Sequence, residues 1–394
     1  MAYPSVAGQI HEYLIFKVAA YESFRSYEVR EPSVLKAWVS AQIATLPKSD
    51  GRKSSQPFNL KPQEQEFSFN IIAGDASPRK YYRVLVPPTG GLPAQSLIAV
   101  DAPSSEKTPE FLHIRQLFEA GSIRVPALIA ADAEAGFLLL EDLGDDVLLP
   151  VLSKHSAGAW YAMALNALNQ LAAISNATAG LPPYDATKLQ TELDLFRDWF
   201  VPKLLGISWT DAFEQSFSDL SRCLINNAIQ QPQVVVHRDF HSRNLMVVHN
   251  EELAVIDFQD AVIGPITYDP VSLLKDCYVH WPRQQQLAWL LDHKRLMTEQ
   301  GRLEPVDDAT FVVWFDLMGL QRHIKVLGIF ARLSLRDGKP TYLNDLPLVL
   351  AYVEEVLGIY APSIDVVAAF RTLFNEQVLP VCQHQSWYRQ VKLT

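Results

Sequence analysis

Apolar positions change their period once along the chain. From Phe67 they fall in short runs rich in aromatic and β-branched residues, which predicts strands over 67–73, 80–86 and 96–101. Gly74-Asp75 and the stretch 87–91 supply turns between them. Residues 108–120 place Phe111, Ile114, Leu117 and Phe118 on one side of a helix, and 126–130 and 136–141 read as two more strands. The outline is a small antiparallel sheet with one helix. Glu141-Asp142-Leu143-Gly144 closes it, and residues 142–146 read as a hinge.

Beyond about Val147 the apolar spacing is helical, over 156–175, 190–205, 210–230 and from 268 onward. The exception is 233–258, where the runs Val234–Val236 and 253–256 flank a polar loop. Ahead of the strands, Leu35, Trp38, Val39 and Ile43 predict a helix over 33–46, followed by a Lys-, Ser-, Pro- and Gln-rich linker over 48–65. The first 66 residues thus read as a poorly packed extension, 67–141 as a β-rich lobe that binds nucleotide, and 147–394 as a helical lobe. Two lobes joined by a hinge are expected to leave a cleft for ligands. There is no internal repeat.

Composition narrows the function classes. Apolar residues at 48% and charged residues at 20% of 394 exclude a largely disordered chain. With 34 Lys and Arg against 44 Asp and Glu, the formal charge of −10 argues against a nucleic-acid partner but leaves room for a local basic pocket. No apolar run approaches the ~18 residues of a membrane span, and Lys17 breaks the early run from Tyr13 to Tyr21. Cys223, Cys277 and Cys382 form neither a disulfide framework nor a metal motif, so a reducing cytoplasm is the simplest compartment.

The segment that carries chemistry is His237-Arg238-Asp239-Phe240-His241-Ser242-Arg243-Asn244. Phosphoryl transfer needs a carboxylate to take or orient the acceptor hydroxyl proton, and two oxygen ligands to hold Mg2+ on the nucleotide phosphates. Asp239 with Asn244 five residues later fits the kinase catalytic loop, with Phe240 in place of Leu. Asp257, at the end of an apolar run, stands where the second metal-binding carboxylate belongs. The alternative makes Asp239 and Asn244 turn residues and Asp257 a helix cap; order, spacing and flanking strands together favour the catalytic reading. His237 and His241 lie four apart, but on a loop without the Glu of a zinc helix, so His237 is expected to brace the backbone.

With Leu245, Ile256-Asp257-Phe258, Gly264-Pro265 and Tyr268-Asp269-Pro270, this segment resembles the aminoglycoside phosphotransferase and choline kinase superfamily. The resemblance runs from about Ser33 to the end. Within the superfamily, Tyr81-Tyr82-Arg83-Val84, Val100-Asp101-Ala102-Pro103, Asp257-Phe258-Gln259-Asp260-Ala261 and the stretch 319–333 are similar to bacterial anomeric sugar kinases acting on N-acetylmuramate and N-acetylglucosamine. The resemblance implies an α+β, protein-kinase-like bilobal fold with a small antiparallel β-sheet N-lobe and a larger, mainly helical C-lobe. It implies ATP and Mg2+ as donor and cofactor, and a sugar 1-phosphate passed to a nucleotidyltransferase in cell-wall sugar recycling. Asp239 would be the catalytic base, and Asn244 and Asp257 the metal ligands. Leu143, after Glu141, would present hinge backbone to adenine, and Asp269 would brace the catalytic loop.

One departure matters. The strand at 96–101 lacks the lysine that holds the α and β phosphates in kinases. Arg79, Lys80 and Arg83 are the cations at hand, and Ser77 could cover the phosphates. On the acceptor side, Gln321, Lys325 and Arg332 fall near one helical face that would suit the lactyl carboxylate of N-acetylmuramate, unless they are plain surface charges. Arg243 and Asp260 lie closer to the chemistry. Two other readings stand beside the sugar kinase: a kinase for an aminoglycoside, choline or similar small molecule, and a silent nucleotide-binding regulator.

Overall fold

The structure, a computed structural model, describes residues 31–46, 67–72, 78–88, 94–248 and 252–393. The expected linker over 48–65, the turn at Gly74-Asp75 and Ser77 lie outside the described residues. The chain divides into two compact units, one of Met1–Leu112 with Pro126–Asp142, the other of His113–Val125 with Leu143–Thr394.

The first unit is built on a five-stranded antiparallel sheet in the order β1-β2-β3-β5-β4. Its strands are β1 (Ser68–Ile72), β2 (Lys80–Val86), β3 (Gln95–Asp101), β4 (Leu128–Asp132) and β5 (Phe137–Glu141). Pleating sends alternate residues of β2 to one side, so Tyr82, Val84 and Val86 are buried. Helix α1 (Pro32–Ile43) lays Leu35, Val39 and Ile43 on that layer, against Leu97, Ala99 and Leu139. Trp38 meets Phe137 with ring centres 5.7 Å apart. The helix expected in a poorly packed extension is therefore part of the sheet's core. Each such buried side chain contributes about 1.5–3 kcal/mol. Gly136 has φ of 74°, and a Cβ there would sit 2.1 Å from the Ala102 carbonyl oxygen, so the turn into β5 admits glycine alone.

Helix α2 (Thr108–Ala120) follows β3. In the second unit come α3 (Ala157–Ala172), α4 (Ala186–Leu195), α5 (Asp211–Gln230), α6 (Tyr268–Leu274), α7 (Arg283–Glu299), α8 (Asp308–Leu335), α9 (Leu346–Tyr360) and α10 (Asp365–Leu373), counting α-helices longer than five residues. Asp185, Thr210 and Asp307 cap α4, α5 and α8 by accepting the N–H three residues on. The helix expected over 190–205 starts earlier, at that cap. It then widens into π turns over Phe196–Leu204, where Pro202 supplies no N–H for an α-helical bond.

Helix α8 runs through the core of this unit, burying Phe311, Phe315, Met318, Leu320, Ile324 and Leu327. It passes so close to the end of α4 that a Cβ on Gly328 would lie 2.3 Å from the backbone carbon of Leu195. Two short ribbons interrupt the helices. Strand β6 (Gln233–Val236) pairs with β9 (Val262–Pro265), and β7 (Leu245–Val248) with β8 (Glu252–Val255), both antiparallel. The apolar runs at 234–236 and 253–256 thus belong to different ribbons, and the polar loop between β6 and β7 carries the conspicuous motif.

Candidate active site

The loop from His237 to Asn244 is held at several points by backbone hydrogen bonds to buried side chains. Asp269, in the first turn of α6 and 3% exposed, accepts the N–H of His237 at 2.7 Å and that of Arg238 at 3.0 Å. These bonds hold Arg238 at φ of 78°, a left-handed conformation costing a non-glycine residue about 1–3 kcal/mol. Burial pushes the Asp269 carboxyl up to about 7, with the two N–H donors opposing it. Asp276, fully buried, accepts the N–H of Ser242 at 2.9 Å and its hydroxyl at 2.5 Å.

His237 ties the two halves of the motif together. Its Nδ1 accepts the N–H of Asp239 at 3.2 Å, so Nε2 carries the hydrogen and donates to the Ile256 carbonyl at 2.9 Å. Burial lowers its pKa, which keeps the ring neutral. Ile256 immediately precedes Asp257, which also has a left-handed φ, of 62°. Asn244 donates through its side-chain amide to the Asp239 carbonyl at 3.0 Å and to the Asp257 carboxylate at 3.3 Å, and Gln259 donates to the other Asp257 oxygen at 2.8 Å. The exposed Asp257 and adjacent Asn244 are hard oxygen donors. They fit a magnesium ion whose other ligands come from phosphates and water.

Around Asp239 lies a charge network with a member the sequence did not single out. Glu192, on α4 and 8% exposed, meets the Arg238 guanidinium at 2.5 Å and the Lys325 ammonium at 3.0 Å, and accepts the Tyr184 hydroxyl. Lys325 also donates to the Tyr268 hydroxyl at 2.9 Å. Burial would raise the Asp239 carboxyl. The positive groups around it, Lys325 first and then His241, Arg238 and Arg322, more than reverse that and hold it at about 2. Asp239 is therefore a carboxylate at neutral pH, able to accept a hydroxyl's hydrogen bond.

The other expected residues fall into three groups. Gln321 and Lys325 are buried on α8, not on a solvated face, and Lys325 is ion-paired with Glu192. Arg332, half-buried, lies seven residues further along the helix, about 10 Å from Lys325 along its axis. Arg243 is exposed and stacks its guanidinium 3.6 Å above the Tyr278 ring, while Asp260 is exposed just past Asp257. Arg79, Lys80, Arg83 and Glu141 belong to the first unit. There Arg79, 4% exposed, pairs with Glu106 at 3.3 Å, Arg83 pairs with Asp142 at 2.7 Å, and Glu141 accepts the Ala127 N–H at 3.0 Å. Lys80 begins β2 opposite Asp101, and Leu143 begins the longer segment of the second unit. Glu192, Asp276 and Arg322 were missed because their partners lie tens of residues away, where no spacing rule reaches.

A carboxylate that stays ionised beside an oxygen-donor pair can run phosphoryl transfer to a hydroxyl, and the chain belongs to the phosphotransferase enzyme family, whose model matches residues 68–305. Its fold is protein-kinase-like. Ethanolamine kinase of Plasmodium vivax superposes with a TM-score of 0.55 at 11% identity, over 82% of this chain and 95% of that one. Among curated relatives, the N-acetylmuramate/N-acetylglucosamine kinase of Pseudomonas putida is 40% identical over 74% of this chain and 84% of its own length. The enzymes of the same name from Pseudomonas aeruginosa and Neisseria meningitidis are 37% and 35% identical, over 82% and 80% of this chain and 91% and 93% of theirs. Among the described residues no helix is long and apolar enough to cross a membrane.

Proposed function

We propose that this chain is an ATP-dependent amino-sugar kinase that phosphorylates the anomeric hydroxyl of N-acetylmuramate and N-acetylglucosamine. The observation that carries the reading is Asp239 held ionised beside Asn244 and Asp257, in a chain whose similar relatives bear that name. Asp239 accepts the hydrogen bond of the anomeric hydroxyl and orients its oxygen toward the γ-phosphorus. The new P–O bond forms as the bond to the β–γ bridging oxygen breaks. A carboxylate held at about 2 is a weak base, so the proton reaches Asp239 late, once the sugar oxygen has lost electron density to phosphorus. The anomeric hydroxyl is more acidic than an ordinary alcohol, which suits such a base. Asn244 and Asp257 would hold Mg2+, which neutralises charge building on the phosphates.

On the nucleotide side, Ser77, Arg79, Lys80 and Arg83 are assigned to the phosphates, with Arg79 or Lys80 replacing the strand lysine, and Glu141 and Leu143 to the adenine end. On the acceptor side, Arg243, Asp260 and Gln321 are assigned to the sugar and Lys325 to the charge balance at Asp239. Arg332, about 10 Å further along α8 than Lys325, is assigned to the sugar as well. The work is placed in the cytoplasm, where ATP is at hand. The 1-phosphate product would pass to a nucleotidyltransferase that recycles cell-wall sugars. The test is ADP release with N-acetylmuramate, N-acetylglucosamine, glucose, choline and kanamycin as acceptors. Turnover with the two N-acetyl sugars is expected. Turnover with choline or kanamycin alone would move the substrate and leave Asp239 its role.

A further inference from the structure

Helix α8 carries a cation whose charge is felt at Asp239 but which makes no ion pair with it. Arg322 is 3% exposed, yet it forms no ion pair with a carboxylate among the described residues. Among the described residues its hydrogen bond is to the Cys277 sulfur, at 3.5 Å. Burial pushes the Cys277 thiol up to about 11, so the sulfur stays protonated and is a weak, neutral acceptor. Taking a guanidinium out of water is costly, and here nearby charge, Asp239 among it, offsets burial without any carboxylate bonding the fork directly.

Its position says which ligand. Cys277 lies between Asp276, which holds Ser242, and Tyr278, whose ring meets His241 edge-on at 5.4 Å and lies under Arg243. Arg322 thus reaches the props of the catalytic loop, and its charge is felt at Asp239. It has no hydrogen bond or ion pair to Asn244 or Asp257, the pair assigned to the phosphates' metal ion. Beside it, both atoms of the Gln321 amide are buried without a hydrogen-bond partner among the described residues. Gln321, Arg322 and Lys325 share one sector of α8. Of the two cations, Lys325 is ion-paired with Glu192, which leaves Arg322 as the one without a directly bonded carboxylate among the described residues.

Resting on the amino-sugar reading above, we propose that Arg322 reads the lactyl carboxylate of N-acetylmuramate, and so is the residue that lets this chain accept an acidic sugar. N-acetylglucosamine lacks that carboxylate and draws nothing from the pairing. The fork of a guanidinium matches a carboxylate with two parallel hydrogen bonds. This replaces Lys325 as the carboxylate partner expected from the sequence.

The experiment compares kcat/KM of wild type, Arg322→Gln and Arg322→Lys on three acceptors: N-acetylmuramate, its methyl ester and N-acetylglucosamine. Arg322→Gln should lower the ratio of kcat/KM for N-acetylmuramate over N-acetylglucosamine on the order of 10²-fold, the worth of a charge-assisted pair. Arg322→Lys should restore part of it. Methylating the carboxylate should weaken the wild type and leave Arg322→Gln nearly indifferent. A merely structural role would lower all three acceptors alike and leave the ratios unchanged, which overturns the proposal. A wild type that phosphorylates both free sugars with ratios unmoved in the variants defeats the assignment of Arg322 alone. A wild type that phosphorylates neither defeats the amino-sugar reading and this proposal with it.

Discussion

Replacing Glu192 by glutamine changes one atom's charge and almost no volume, and the structure makes that change expensive. One Glu192 oxygen faces Arg238 at 2.5 Å and Lys325 at 3.0 Å, and the other takes the Tyr184 hydroxyl. The residue is 8% exposed, so water cannot take over. In Glu192→Gln the buried Lys325 and the partly exposed Arg238 lose their counter-ion and face a neutral amide. Removing one partner of a buried ion pair costs about 3–5 kcal/mol, most of it the burden of the charges left behind. At roughly 2–4 °C per kcal/mol for a domain of this size, the second unit should melt roughly 6–20 °C lower. Urea unfolding followed by tryptophan fluorescence measures the loss directly. A double-mutant cycle with Lys325→Met separates the pair from general damage: the lysine substitution should be at least ~1 kcal/mol milder when Glu192 is already glutamine. A loss below about 1 kcal/mol, or strict additivity, would refute the claim that Glu192 neutralises this cluster.

Three further outcomes follow from the same geometry. Gly328→Leu should destabilise the chain by at least ~1–3 kcal/mol in urea titration, because the Leu195 backbone stands where a Cβ must go; an unchanged midpoint would mean that α8 and α4 part without cost. Asp239 has a folded pKa of about 2, below the ordinary ~3.9, so its carboxylate stabilises the fold above about pH 4 and that contribution is lost as pH falls toward 2. Wild type should therefore lose stability relative to Asp239→Asn across that window, and a constant difference between the two would contradict the depressed value. An Arg79→Ala, Lys80→Ala double variant should raise KM for ATP about 10-fold or more if one of these cations stands in for the strand lysine, with circular dichroism confirming that the Arg79–Glu106 pair was not needed for folding. Unchanged ATP affinity would send the search for that cation elsewhere.

What the sequence made legible is what local spacing encodes. Asp239 and Asn244 stand five apart on one loop, and Asp257 follows a strand, so their chemistry could be read without knowing any partner. Strands β2 and β3 and helix α2 announce themselves by period. The pairing of β6 with β9 did not, because Gly264-Pro265 hides the second strand and the partners are some thirty residues apart. Helix α1 looked detached because the residues it packs against lie beyond a long polar stretch. Glu192 is one of two carboxylates on an amphipathic helix, and only the fold brings Arg238 and Lys325 to it. Lys325 was legible as a cation near the acceptor but not as one already paired. Arg322, buried with a thiol for its neighbour, had no sequence signal beyond its charge.

On the proposed reading, Asp239 directs phosphate from ATP to the anomeric oxygen of the sugar. Phosphorus NMR of the product formed from Mg-ATP and N-acetylmuramate, with correlation to the sugar protons, decides this. A phosphorus coupled to the anomeric proton, formed by wild type and at least ~10²-fold more slowly by a folded Asp239→Asn variant, is the predicted result. Phosphate at another hydroxyl, or near-normal turnover by Asp239→Asn, would contradict it.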